Sequence, residues 1–207
     1  MDAPTHFARD AWSLDEIPVE RFIAPAVVVD VTAKAEANHD YRLTVEDLTN
    51  WEHMYGPILA HGAVVFLNSN WASRLWNRTL FLGNDVDDTS DLHFPGFSIE
   101  AARWLYEERV IYALGIDTPS LDHGPSQDYP VHVYLLGRNI YFLENVNNLD
   151  QLPPAGATVY SFPMKIKGGS GAPCRVMAQL PTPPDPPSAV SVCFWVVLFI
   201  AVARWLL

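Results

Sequence analysis

Residues 130–153 read PVHVYLLGRNIYFLENVNNLDQLP. His132 begins a short apolar helical stretch, Gly137-Arg138-Asn139 turns the chain, and residues 140–143 (IYFL) run as a strand to Glu144. A helix, a turn and an apolar strand in succession are the building unit of an α/β layered domain. A glutamate placed directly after four apolar strand residues is costly to bury unless it is paired or bound to metal. Helix and strand packed side by side would bring His132 and Glu144 together, which makes them candidate metal ligands.

The same alternation extends along the chain. Residues 26–31 (AVVVDV), 63–67 (AVVFL), 110–116 (VIYALGI), 158–162 (TVYSF) and 174–180 (CRVMAQL) read as further strands. Between them, residues 45–55 form a helix with Thr44 as N-cap, Glu46 and Asp47 at the positive end of its dipole, and Gly56-Pro57 as the stop. Ser98 caps a second helix over residues 99–109, with Ile99, Ala102, Trp104 and Tyr106 among its apolar positions. The expected fold is therefore an α/β layered domain over residues 1–180, with no internal repeat.

The bulk composition agrees. With 207 residues, 49% apolar and 18% charged, the chain can build one sizeable core and is not a disordered segment. A formal net charge of -11 repels phosphate backbones, so nucleic acid is excluded as a partner. Seven tryptophans and eight tyrosines are enough to wall an aromatic pocket, and equally enough simply to fill a core. The two cysteines, Cys174 and Cys193, make no CxxC and carry no zinc or redox signature.

Beyond the domain, residues 181–188 (PTPPDPPS) read as a stiff proline linker, and residues 189–207 (AVSVCFWVVLFIAVARWLL) carry a single charge, Arg204. Such a run, about 28 Å long as a helix, matches the hydrocarbon thickness of a bilayer, with Arg204 snorkelling to the interface. It is therefore expected to be a C-terminal transmembrane helix, a single-pass membrane anchor. With no basic-then-apolar leader the domain would be cytosolic and tail-anchored. Were the protein to carry a signal peptide upstream, it would be extracellular or lumenal, consistent with the Asn77-Arg78-Thr79 sequon.

Three further constellations carry possible chemistry. Asp2 and His6, separated by Pro4, lie on a segment that cannot be regular helix and favours a rigid extended turn. That turn can aim a carboxylate and an imidazole at one point. Residues 115–124 (GIDTPSLDHG) place Asp117, Ser120, Asp122 and His123 after a strand, where acidic residues either face a ligand crevice or cap the next element. His93, in residues 92–98 (LHFPGFS), has the same two readings.

Taken together, these segments resemble the cyclase-like metal hydrolase family that includes bacterial-type kynurenine formamidase and isatin hydrolase. The family hallmark is His-x-Gly-Thr-His-x-Asp-x-Pro-x-His, and Met1-Asp2-Ala3-Pro4-Thr5-His6 matches its last six positions. Residues 92–98, 115–124 and 130–153 resemble later family blocks, and the likeness spans nearly all of residues 1–180. It is nearest to the isatin-hydrolase branch. The resemblance implies that Asp2, His132 and Glu144 ligate a divalent metal, manganese or zinc, and that His6 is the catalytic acid/base. It also implies a small aromatic amide as substrate, N-formylkynurenine- or isatin-like, and a homodimer. The two histidines that precede the aspartate in the hallmark have no counterpart, so the chain is expected to begin inside the motif and to be an impaired hydrolase. The alternatives are a membrane-anchored, non-catalytic binder of small aromatic molecules, or a gene-model fragment.

Overall fold

The computed structural model describes residues 1–58, 62–84, 90–181 and 195–198. Four strands form the parallel half of its main sheet: β1 (Ile23–Asp30), β3 (Ala63–Asn68), β5 (Ile111–Ile116) and β6 (Tyr141–Leu143). The antiparallel strands β7 (Thr158–Tyr160), β8 (Val176–Gln179) and β9 (Trp195–Leu198) extend it past β1, giving the order β6-β5-β3-β1-β7-β8-β9. The crossovers carry α1 (Thr32–Ala37), α2 (Val45–Tyr55), α3 (Arg78–Leu82), α4 (Ile99–Glu108) and α5 (Pro130–Leu136). A two-residue parallel pair, β2 (Arg42–Leu43) with β4 (Gly96–Phe97), leads directly into α2 and α4.

Both faces of the parallel half are covered, which is why its strands read as unbroken apolar runs. Val28, Val64, Phe66, Ala113, Tyr141 and Leu143 pack on one face with Met1, Ala3, Leu14, Phe22 and the β7–β8 residues. Their strand neighbours Val27, Val29, Val65, Leu67, Leu114, Ile116 and Phe142 point to the other, against Leu48 and Trp51 of α2, Leu105 of α4 and Leu135 of α5. Both long helices start as their sequence requires. Thr44 and Asp47 form a reciprocal capping box on α2, and the Ser98 hydroxyl accepts from Ala101 N–H on α4. Asp47 also takes hydrogen bonds from Lys34 and from Tyr41 Oη at 2.6 Å, which keeps that nearly buried carboxylate charged.

Two expectations are corrected here. Instead of a layered domain with a transmembrane helix, the described residues form a mixed α/β half-barrel, with an antiparallel extension on its parallel sheet. Within the run assigned to the anchor, Trp195–Leu198 is strand β9, paired with β8 through Val176↔Leu198 to Gln179↔Trp195. Among the described residues no helix is long and apolar enough to cross a membrane, so the single-pass membrane localisation is withdrawn with the helix. The physical reason is that apolarity alone does not choose between a span and an edge strand. Val196, Val197 and their neighbours suit a β ladder equally well. Apart from Pro181, the proline linker lies outside the described residues, as do Cys193 and Arg204.

Candidate metal centre

The parallel strands all end on polar groups at one edge of the sheet: Asp30 on β1, Asn68 on β3, Asp117 just past β5 and Glu144 just past β6. This carboxyl edge is where α/β sheets form their ligand crevices. The first residues of the chain join it there. Asp2 N–H donates to Phe142 O at 2.9 Å and Phe142 N–H returns to Asp2 O at 3.0 Å, while Ala3 N–H donates to Ser170 O. Asp2 is thus a one-residue antiparallel bridge on β6. Because side chains alternate along a strand, Glu144 shares the face of Phe142, which is also the face of Asp2 opposite it. That face is covered by α5, which supplies His132.

The three side chains meet. His132 Nε2 lies 3.2 Å from Glu144 Oε1 and 3.8 Å from Asp2 Oδ2, and one ligand atom from each residue falls within 4.8 Å of the others. Donors held ~2.1 Å from a common cation stand about 3.0–3.4 Å apart in octahedral or tetrahedral sites, so the cluster needs only a small contraction to fit one. His6 Nε2 stands 3.8 Å from the same Asp2 oxygen, on a half-exposed ring. The turn that carries it is 3-10 (Pro4–His6) rather than extended, and Pro4 occupies its first position.

Asp122 sets the chemistry of His132. Its carboxylate is almost fully buried and accepts three bonds: Val131 N–H at 2.9 Å, His132 N–H at 3.1 Å and His132 Nδ1 at 2.7 Å. The first two satisfy the N-terminus of α5, whose own N-cap, Tyr129, provides no side-chain bond. The third places the His132 proton on Nδ1 and turns Nε2 toward Asp2 and Glu144. A carboxylate behind a ligating imidazole is the usual outer partner in metal sites.

Electrostatics point the same way. Burial works against a charged His132, yet its hydrogen bonds to Asp122 and Glu144 push its pKa up to about 9. Burial, joined by the charge of Asp2, raises the Glu144 carboxyl, with the His132 hydrogen bond pulling it back. Among the described residues neither Asp2 nor Glu144 forms an ion pair with a lysine or arginine. Two sequestered carboxylates whose countercharge comes from imidazoles and the Met1 ammonium, with no lysine or arginine paired to them among the described residues, are a donor set suited to a divalent cation.

The centre opens into a cavity of about 480 Å³ lined by both polar and aromatic groups, among them Phe7, Phe94, Tyr129, Ser120 and His123. Phe7 stacks at 4.8 Å from the His132 ring and 5.8 Å from Tyr129, while Phe142 backs His132 edge-on. Burial, and then the charge of Arg42, hold the His123 pKa below the ordinary imidazole value.

The residues singled out in the sequence therefore separate. Asp2, His6, His132 and Glu144 come together at one cavity, joined by Asp122, Ser120 and His123. Asp117 does not join them. It is buried, accepts from Ser69 Oγ at 2.6 Å and Trp71 N–H at 2.6 Å, and has a pKa raised by burial to about 6. His93 points away toward Asp40, 2.9 Å from both carboxylate oxygens, and its chain neighbours Leu92 and Phe94 form the cavity wall. The aromatic wall of Phe7 and Tyr129 was not legible, because neither lies in a periodic apolar pattern.

The His93–Asp40 tie has a testable pH dependence. Hydrogen bonding to Asp40 raises the His93 pKa against a smaller burial effect. Stabilisation from the tie is therefore complete below the unfolded imidazole value and is lost as pH rises through the raised folded value. His93→Gln is expected to lower the melting temperature more at about pH 5.5 than at about pH 9. An equal loss at both values would show that the tie carries no charge-dependent stability.

A family model described as "Putative cyclase" matches residues 1–123. An isatin hydrolase from Roseibium aggregatum is 31% identical over 190 residues, covering 87% of this chain and 70% of that protein. A kynurenine formamidase from Salinibacter ruber is 31% identical over 186 residues, covering 90% and 76%. Among solved structures, isatin hydrolase A from Ralstonia solanacearum superimposes with a TM-score of 0.80 at 42% identity, over 86% of this chain and 69% of that one.

Proposed function

The chain belongs to the cyclase family, and from that premise we propose that it is a metal-dependent hydrolase of an aryl formamide or cyclic aromatic amide. The observation that carries this reading is the convergence of Asp2, His132 and Glu144 within one aromatic cavity, with His6 beside them. The relatives' names, isatin hydrolase and kynurenine formamidase, support the choice of substrate class.

Asp2, His132 Nε2 and Glu144 would hold the cation, manganese or zinc. When bound it supplies Lewis acidity, polarising an amide carbonyl and easing the ionisation of water. The chain's own residues do the rest. Asp122 keeps the Nδ1 proton in place so that Nε2 presents its lone pair. Phe7, Phe94 and Tyr129 pack against an aromatic ring and exclude bulk water from the carboxylates. His6, with a half-exposed ring at the cavity, accepts a proton from water at Nε2 and returns it to the leaving nitrogen. Three protein donors, two of them carboxylates, grip zinc less firmly than a more imidazole-rich set, so turnover is expected to need added metal.

The test is hydrolysis of N-formylkynurenine and of isatin with manganese, with zinc and with a chelator. Turnover that requires metal and falls roughly 100- to 10,000-fold in His6→Gln supports the reading. Binding of these compounds without any turnover would make the chain a binder instead. An unchanged rate in His6→Gln would remove His6 from the acid/base role.

A further inference from the structure

The candidate cavity holds two hydrogen-bond donors that the metal centre does not use. His123 lines it, and among the described residues no hydrogen bond or ion pair engages its imidazole. Ser120 lines it as well. Its oxygen accepts from Asp122 N–H at 3.2 Å and its carbonyl accepts from Thr118 Oγ1 at 2.8 Å, so the hydroxyl proton stays available.

The loop that presents them is built in advance. Phe97 N–H donates to Leu121 O and Gly124 N–H to Phe94 O, each at 2.8 Å, stitching residues 121–124 to residues 94–97. The two backbones approach so closely that a Cβ on Gly96 would lie 2.4 Å from His123 N, and one on Gly124 would lie 2.4 Å from Leu92 O. Only glycine fits at either position, so the backbone of residues 121–124 is held tightly against residues 92–97. Burial favours the neutral form of the His123 ring, which offers one N–H together with one lone pair.

We propose that His123 and Ser120 form an acceptor subsite that binds a carbonyl or carboxylate oxygen carried on the aromatic body of the substrate, apart from the amide that is cleaved. The inference rests on the hydrolase reading above and deepens it: the favoured substrates are aromatic amides bearing a second oxygen acceptor. A pocket built to hydrogen-bond such a group disfavours analogues lacking it, because its donors are then left unpaired. His123 is in this sense a specificity-determining residue.

The experiment compares two slowly reacting ligands that differ by one acceptor, acetanilide and 2-acetamidoacetophenone, titrated calorimetrically into the manganese-loaded protein. The wild type is expected to bind the ketone-bearing ligand about 10-fold more tightly, the worth of one well-placed neutral hydrogen bond. In His123→Phe the ratio of the two dissociation constants should fall to near one. In His123→Asn, which keeps an N–H donor, it should be intermediate. Because the readout is a ratio within one protein, acetanilide corrects for any general loss of the pocket. Should His123→Phe fail to fold, Ser120→Ala supplies the second variant and is expected to lower the ratio too. A wild type without preference, or a preference untouched by these substitutions, overturns the subsite. Formanilide turnover separates the two ideas. A wild type that hydrolyses formanilide without the ligand preference retains the function and loses the subsite, and one that keeps the preference without turnover does the reverse.

Discussion

Glu144→Gln is expected to abolish metal-dependent turnover, lowering it on the order of 1,000-fold or more, beyond the roughly 10–100-fold that outer partners of a metal site carry. Glutamine keeps the size of the side chain and one acceptor oxygen but removes the charge that a cation at His132 and Asp2 needs. The fold should not suffer. Burial and the charge of Asp2 work against a charged Glu144 while the His132 hydrogen bond favours it, and glutamine keeps an acceptor oxygen for that bond without the buried charge. The expected signature is a metal-free melting temperature equal to or above that of the wild type. The rise on adding manganese, present in the wild type because a ligand that binds only the folded state stabilises it, should be lost. Wild-type turnover in Glu144→Gln would remove Glu144 from the centre.

Asp122→Asn is the second large effect, and it acts through another residue. Three N–H groups converge on the Asp122 carboxylate, from Val131, His132 and the His132 ring. An asparagine offers one oxygen and one NH₂, so some donor must face a donor. If the oxygen stays by His132, Val131 N–H is left buried and unsatisfied, at a cost of about 1–3 kcal/mol. If the amide flips, its NH₂ donates to Nδ1 and drives the ring proton onto Nε2, the atom that faces Glu144. Either outcome weakens metal binding, by roughly 10–100-fold. A purely structural role predicts destabilisation with an unchanged metal dissociation constant, so measuring both separates the two roles.

Much of the fold was legible because its signals are local. The runs at residues 63–67 and 110–116 hold strands β3 and β5 since uninterrupted β-branched and apolar residues suit a sheet covered on both faces. Thr44 with Asp47, and Ser98, announce helix starts through hydrogen bonds made within three residues. What the pattern could not show was non-local. The β2–β4 pair is two residues long, too short for any periodicity. The C-terminal apolar run is equally compatible with a helix in lipid and with an edge strand. Only pairing partners choose between them, and β8 is that partner.

The site divides in the same way. Asp2 with His6 and His132 with Glu144 stood out as two separate pairs, only the family resemblance grouped them, and the structure brings all four to one cavity. Asp122 had two readings, facing a ligand crevice or capping the next element, and it does both, capping α5 where it lines the cavity. Its bond to His132 Nδ1 depends on the path of residues 121–132 between strand and helix, which no spacing rule encodes. Tyr129 illustrates the limit most clearly. It sits in the left-handed region at φ 46°, directly before Pro130, where a bulky side chain is uncommon. That conformation accompanies its place against Phe7 and His132.

Anomalous diffraction from crystals of the full chain grown with manganese addresses the central idea most directly. A single strong peak is expected about 2.1–2.2 Å from a carboxylate oxygen of Asp2, from His132 Nε2 and from a Glu144 oxygen, with Asp122 still bonded to Nδ1. A fully active protein whose manganese lies elsewhere, or touches only one of these three residues, would contradict it.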